Sequence, residues 1–220
     1  MLGRLQLIFD WSEVWALLIP LLILIYKREQ PVFLKPVIVY LWIALVLNLA
    51  ADIIGDFRSH FPHWLNSNNI LYNIHSLVRF ACFFYFFRLL GKNFKAALDQ
   101  IINLSALIFI VFNFIFIESF SNPHHLSGNL LAAEAYVLLV YCMQYYLIKL
   151  KADNAEMNKG KDFWIVTGLS IYVVINFFVF LFYVPMLVQN PNLADNMWNV
   201  HNLAYITLCI FIAKALHAPA

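Results

Sequence analysis

Two seven-residue stretches of this chain carry the same side-chain chemistry: Leu71-Tyr72-Asn73-Ile74-His75-Ser76-Leu77 and Met197-Trp198-Asn199-Val200-His201-Asn202-Leu203, at a constant offset of 126 residues. Each reads aromatic, Asn, β-branched, His, small polar, Leu. An amide offers both a donor and an acceptor, and an imidazole gains or loses a proton near neutral pH, so the two stretches could present amides and imidazoles to one small molecule. Four residues beyond His75 stands Arg79, while Asp52 and Glu134 interrupt other apolar runs. Charge in hydrocarbon costs about 2.5–3.5 kcal/mol on insertion scales, so Arg79 must meet a carboxylate or water. Glu134 is its expected partner, and Asp52 the second choice.

Helical periodicity sorts these residues onto stripes. Tyr72, His75 and Arg79 share one face of a helix, and Asn73 and Ser76 share another; Trp198, His201 and Tyr205 repeat the first face, Asn199 and Asn202 the second. With Asn176 from a neighbouring apolar run, the candidate ligand-binding set is Asn73, His75, Arg79, Glu134, Asn176, Asn199, His201 and Asn202. No catalytic residue, metal ligand or cofactor is expected. The rival chemistry is a zinc hydrolase in which His75, His201 and Glu134 bind the ion and leave a position open for water. Against it, no helix carries a His-x-x-x-His or His-Glu-x-x-His pair, and no Gly-x-Ser-x-Gly elbow occurs.

The elements that position these groups follow from composition. Of 220 residues, 63% are hydrophobic, 17% aromatic and 12% charged, where a soluble domain carries about 25% charged residues. Mean hydropathy is +0.76. A net charge of +2 gives no basic footprint for nucleic acid. Cys82, Cys142 and Cys209 are odd in number and sit inside apolar runs, which fits inert buried thiols better than a disulfide scaffold. Apolar stretches lie at about 11–26, 33–54, 70–90, 99–118, 129–149, 163–185 and 198–216, each close to the ~20 residues that cross a bilayer. The expectation is an all-α polytopic membrane protein with seven transmembrane helices in a single domain over residues 1–220. The Phe-rich stretches Phe83 to Phe87 and Phe177 to Phe182 are read as packing and lipid-facing surface.

Lys and Arg near helix ends are retained on the cytoplasmic side. Lys27, Arg28, Lys35, Arg88, Lys92, Lys95, Lys149, Lys151, Lys159, Lys161 and Lys214 fall on one side, and Arg4 and Arg58 on the other. Eleven against two places the N-terminus outside and the C-terminus inside, in a cytoplasmic (inner) membrane. Trp11, Trp15, Trp64 and Trp198 then stand at the outer interface and Trp164 at the inner one, while His60, His63, His124 and His125 fall in outer connections. The repeat predicts that helices one to three and five to seven are parallel copies joined by helix four, a 3+1+3 duplication. The polar residues then share the outer half of the bilayer and define a cavity open to the outside.

With this arrangement and paired Asn73 and Asn199, the chain resembles the transporter, opsin and receptor grouping of seven-helix membrane proteins, and within it the SWEET and PQ-loop carriers. That resemblance implies that Asn73 and Asn199 touch the substrate. No Pro-Gln pair occurs, and only Pro20 and Pro36 match the prolines of the first two helices in each half. The chain also looks like small bacterial seven-helix inner-membrane proteins. The seventh helix lacks a central lysine for a retinal Schiff base, since Lys214 stands at its end. The expected function is a carrier for a small polar or amphipathic molecule; the alternative is a ligand-sensing receptor acting through a partner. Expected partners are the lipid bilayer and that small molecule, with room for a homo-oligomer or a signalling partner.

Overall fold

The computed structural model describes residues 8–62, 67–90, 96–118, 125–151 and 160–218. Arg4, His63, Trp64, Lys92, Lys95, His124 and Lys159, used above for orientation or assigned to connections, lie outside them. Among the described residues the architecture is all-helical: α1 (Ser12–Tyr26), α2 (Lys35–Asp56), α3 (Asn69–Leu90), α4 (Ala96–Phe112), α5 (Gly128–Lys151), α6 (Lys161–Gln189) and α7 (Pro191–His217). A π turn, Asn113–Ile117, extends α4, and a 3₁₀ turn, Val32–Leu34, leads into α2. Six of these segments are long and apolar enough to cross a membrane; α1, at 15 residues, is shorter than that criterion. This is the make-up of an integral membrane protein, in which backbone groups are satisfied within each helix.

The largest departure from the expected boundaries is at α6 and α7. α6 continues through Pro185 to Gln189, and membrane helices tolerate such a proline because neighbouring groups take over the freed carbonyl. α7 starts at Pro191, seven residues before the apolar run, because Asn190 caps it: the Asn190 side chain accepts from the Leu193 N–H at 3.2 Å, and proline suits the first turn. The gap between the expected stretches 163–185 and 198–216 shrinks to one residue, Asn190.

α6 packs on α5 and α7, while α1 packs on α7 and α2, α2 on α3, and α3 on α5. Close approach of α6 and α7 depends on Gly168, where a Cβ would stand 2.4 Å from Cβ of Phe211. α4 is peripheral, with only 6% of its apolar window buried. The Phe-rich stretches divide between core and surface. Phe83, Phe86, Phe87 and Phe180 are buried among helices, whereas Phe178 and Phe182 are exposed on the apolar outside. Cys142 and Cys209 are buried free thiols and Cys82 is partly exposed.

The two ends of the bundle differ in chemistry. At one end Lys149 pairs with Asp162 at 3.0 Å, Lys161 donates to Gln30 at 3.0 Å, and the Lys214 ammonium lies 3.4 Å from the Trp164 ring centroid. The opposite end holds Asp10, Arg58, Tyr72, Asp195 and Asn199 around a polar recess of about 270 Å³.

Candidate functional site

A belt of buried polar side chains crosses the bundle between these ends. Its first member is the Arg79–Glu134 ion pair: Arg79 Nε donates to Glu134 Oε1 at 2.6 Å and Nη2 donates to Oε2 at 2.7 Å. The Ser76 hydroxyl donates to the same carboxylate. Both charged residues are nearly sealed, at 3% and 5% exposure. A planar guanidinium matches a carboxylate in two parallel bonds, which is how a charge pair survives at this depth. Asp52 is not part of the pair; its Oδ2 is buried with no hydrogen-bond partner. The Arg79 guanidinium also lies 5.0 Å from the centroid of the Tyr172 ring, on α6.

The second member was not among the sequence-derived residues. Glu13, in the first turn of α1, faces His201 of α7, with Oε1 2.8 Å from Nε2. On the other side of the ring, Nδ1 lies 2.5 Å from Asn176 Oδ1. The proton positions follow from this network. Asn176 Nδ2 donates to the Tyr172 carbonyl at 2.8 Å, so Oδ1 is the atom facing His201 and Nδ1 must carry a hydrogen. Between Nε2 and a carboxyl oxygen there must then be one more proton. The pair is either imidazolium with carboxylate or imidazole with carboxylic acid. In both forms it binds a single proton and is neutral as a unit.

Aromatic and hydroxyl groups join the two pairs. Tyr172 contacts the His201 ring at 5.9 Å between centroids as well as Arg79, and its hydroxyl is buried with no hydrogen-bond partner. His75 bonds Tyr40 through Nε2 at 3.3 Å and lies against the Tyr40 ring, Tyr40 bonds Tyr205 at 3.3 Å, and Asn48 donates to Tyr205 at 3.4 Å and to the Glu13 carbonyl at 3.2 Å.

The remaining candidates are dispersed. Asn73 is buried and fully used by backbone: it donates to the His125 carbonyl at 3.1 Å and accepts from the Ser127 N–H at 3.0 Å, tying α3 to the start of α5. Asn202 donates to the Phe9 carbonyl at 3.1 Å, and its own oxygen has no partner. Asn199 lines the polar recess. His75, His201 and Glu134 do not form the three-ligand arrangement of a zinc hydrolase. Glu134 is taken by Arg79 and Ser76, and both nitrogens of His201 are taken by Asn176 and Glu13. Among the described residues no three His, Cys, Asp or Glu side chains group as a metal site would require.

A cavity of about 470 Å³ opens beside the Arg79–Glu134 pair, between α3, α4, α5 and α6. Phe80, Phe109, Val137, Phe177 and Leu181 give it apolar walls, and Ser76 and Glu134 stand in its lining as polar groups. That volume is in the range of small-molecule sites, and the mixture of apolar wall and few polar groups suits an amphipathic guest.

Glu13 could have been found by the criterion that singled out Glu134, a carboxylate inside an apolar run; its place near the start of the first run made it resemble an interfacial residue. Tyr40 and Tyr172 carried no signal, because a tyrosine in an apolar helix is equally at home in a core. Comparison with protein-family models, with curated proteins and with solved structures finds no match to this chain.

Proposed function

We propose that the chain is a seven-helix carrier of the inner membrane, with its N-terminus outside, that binds a small amphipathic molecule in the cavity bounded by α3 to α6. The observation that supports this reading is the composition of that cavity's wall. It ends on the ion pair that joins α3 to α5, and so joins the first three helices to the last three. A guest lodged there lies against the seam between the halves, where occupancy can shift one half relative to the other.

The seam is reciprocal. Glu134 on α5, the first helix of the later half, meets Arg79 on α3, the third helix of the earlier half; Glu13 on α1 meets His201 on α7. Each half therefore contributes an acid from its first helix and a base from its third. The parallel 3+1+3 reading, with α4 as the linker, rests on the sequence repeat, and the peripheral packing of α4 agrees with that place.

Proteoliposomes carrying the full chain, offered a mixture of small amphipathic metabolites and analysed by mass spectrometry, should accumulate one class of compound. Ala133→Trp, which fills the cavity from a lining position, should abolish accumulation while thermal unfolding of the protein is unchanged. Accumulation undiminished by Ala133→Trp overturns the assignment of the cavity. Binding without flux favours the receptor reading, in which a partner protein reads the occupied state.

A further inference from the structure

We infer that the Glu13–His201 pair is a proton-binding site, loaded from the polar recess through Tyr72. This deepens the carrier reading by naming its coupling ion, and its coupling role rests on that reading. The site itself stands on hydrogen-bond geometry. Asn176 holds the proton on Nδ1 of His201, so the 2.8 Å contact between Nε2 and Glu13 exists only while one further proton lies in it. The pair is sealed on the protein side, with His201 3% and Glu13 2% exposed. On the recess side Tyr72 neighbours Glu13 and lines the recess beside Asp10, Asp195 and Asn199.

The proton balance is simple. In loading, the Tyr72 hydroxyl gives its proton to Glu13 and takes one from water in the recess; unloading reverses both transfers. Once unloaded, a carboxylate faces the bare lone pair of Nε2, and the contact that holds α1 against α7 becomes repulsive. Six titratable groups on neighbouring elements face the pair: Asp52 on α2, Tyr72 and His75 on α3, Tyr172 on α6, and Tyr205 and Cys209 on α7. Of the strong bases, Arg79 is already neutralised by Glu134 and reaches the pair only across the Tyr172 ring. That ring touches both His201 and Arg79, and Arg79's partner Glu134 stands in the wall of the apolar cavity.

The test is infrared difference spectroscopy on the full chain in phosphatidylethanolamine and phosphatidylglycerol liposomes, with the proton itself as probe. Raising the pH should remove a carboxylic-acid or imidazolium band that shifts on labelling with ¹³C-glutamate or ¹⁵N-histidine in the unmutated chain. Glu13→Gln, whose amide can donate to Nε2 without an added proton, should lose that band entirely. Tyr72→Phe should keep the band but slow its response to a pH jump at least tenfold. Should Glu13→Gln fail to fold, Glu13→Asp keeps an acid in place and must displace the titration. The proposal is overturned if no labelled band titrates, if the band persists in Glu13→Gln, if Glu13→Asp titrates as the unmutated chain does, or if Tyr72→Phe responds at the unmutated rate. Flux through a chain with no titrating band overturns the proton site and leaves the carrier reading standing. A titrating band in a chain that transports nothing does the reverse.

Discussion

Replacing Arg79 by methionine removes five donors from the centre of the bundle while keeping an unbranched side chain of similar length. Glu134 then keeps only Ser76 as a partner, at 5% exposure. Breaking a buried pair by deleting one member commonly costs about 3–5 kcal/mol, because the remaining charge is uncompensated. The lost contact with the Tyr172 ring adds about 1–2 kcal/mol at a desolvated site. At about 2–4 °C per kcal/mol for a chain of this size, Arg79→Met should lower the midpoint of thermal unfolding by about 8–28 °C. Glu134→Gln, which leaves the guanidinium unpaired, should act in the same direction. The double variant carries no buried charge at this position, so it should recover most of the loss, with a coupling energy of several kcal/mol in the double-mutant cycle. The assay is unfolding of the four proteins in one detergent, followed by intrinsic fluorescence of the tryptophan and tyrosine side chains. If the two single effects simply add, the bidentate pair is not what stabilises this site and the argument fails. If the double variant regains stability but not accumulation in proteoliposomes, the pair serves the guest as well as the fold.

Two further outcomes are expected. A Cβ at position 168 would meet Phe211 at 2.4 Å on a packed helix, so Gly168→Ala should destabilise by about 1–3 kcal/mol through overpacking, and an unchanged melting temperature would show that α6 and α7 can part without cost. A C-terminal fusion should report from the cytoplasmic side, fluorescent as a green-fluorescent-protein fusion and inactive as an alkaline phosphatase fusion, following the excess of Lys and Arg at the end of the bundle that holds Lys149, Lys161 and Lys214; the opposite pattern would invert the proposed topology and place the polar recess inside the cell.

Apolar run length carries most of the fold, because a helix that satisfies its own backbone is the only cheap way to keep twenty apolar residues together in lipid. The seven runs in the chain correspond to α1 through α7, and the errors fall at boundaries where a local device acts against hydropathy: Pro185 tolerated inside α6, and Asn190 with Pro191 starting α7 in a polar stretch. The charge pair was legible for a similar reason. Arg79 and Glu134 are each intolerable alone in an apolar setting, so scarcity of partners nearly identifies the match. His201 was legible as a buried polar group, but its partner was not. Several carboxylates could have served, and the choice of Glu13 depends on α1 lying against α7, a contact between the two ends of the chain.

Composition and periodicity therefore determined what must be buried and what must be neutralised: seven apolar helices, a few amides, two imidazoles and one guanidinium inside them. Tertiary structure alone decided who neutralises whom. Asn73 and Asn199 have chemically similar neighbours in sequence, yet Asn73 is consumed by the His125 and Ser127 backbone while Asn199 faces a polar recess. The Phe83 and Phe178 rings are chemically alike, yet one is sealed and the other exposed. The physical reason is that hydrophobicity acts without direction and is read from residue type, whereas hydrogen bonds and ion pairs need particular atoms at particular distances. Those distances exist only once helices far apart in the chain have packed against one another.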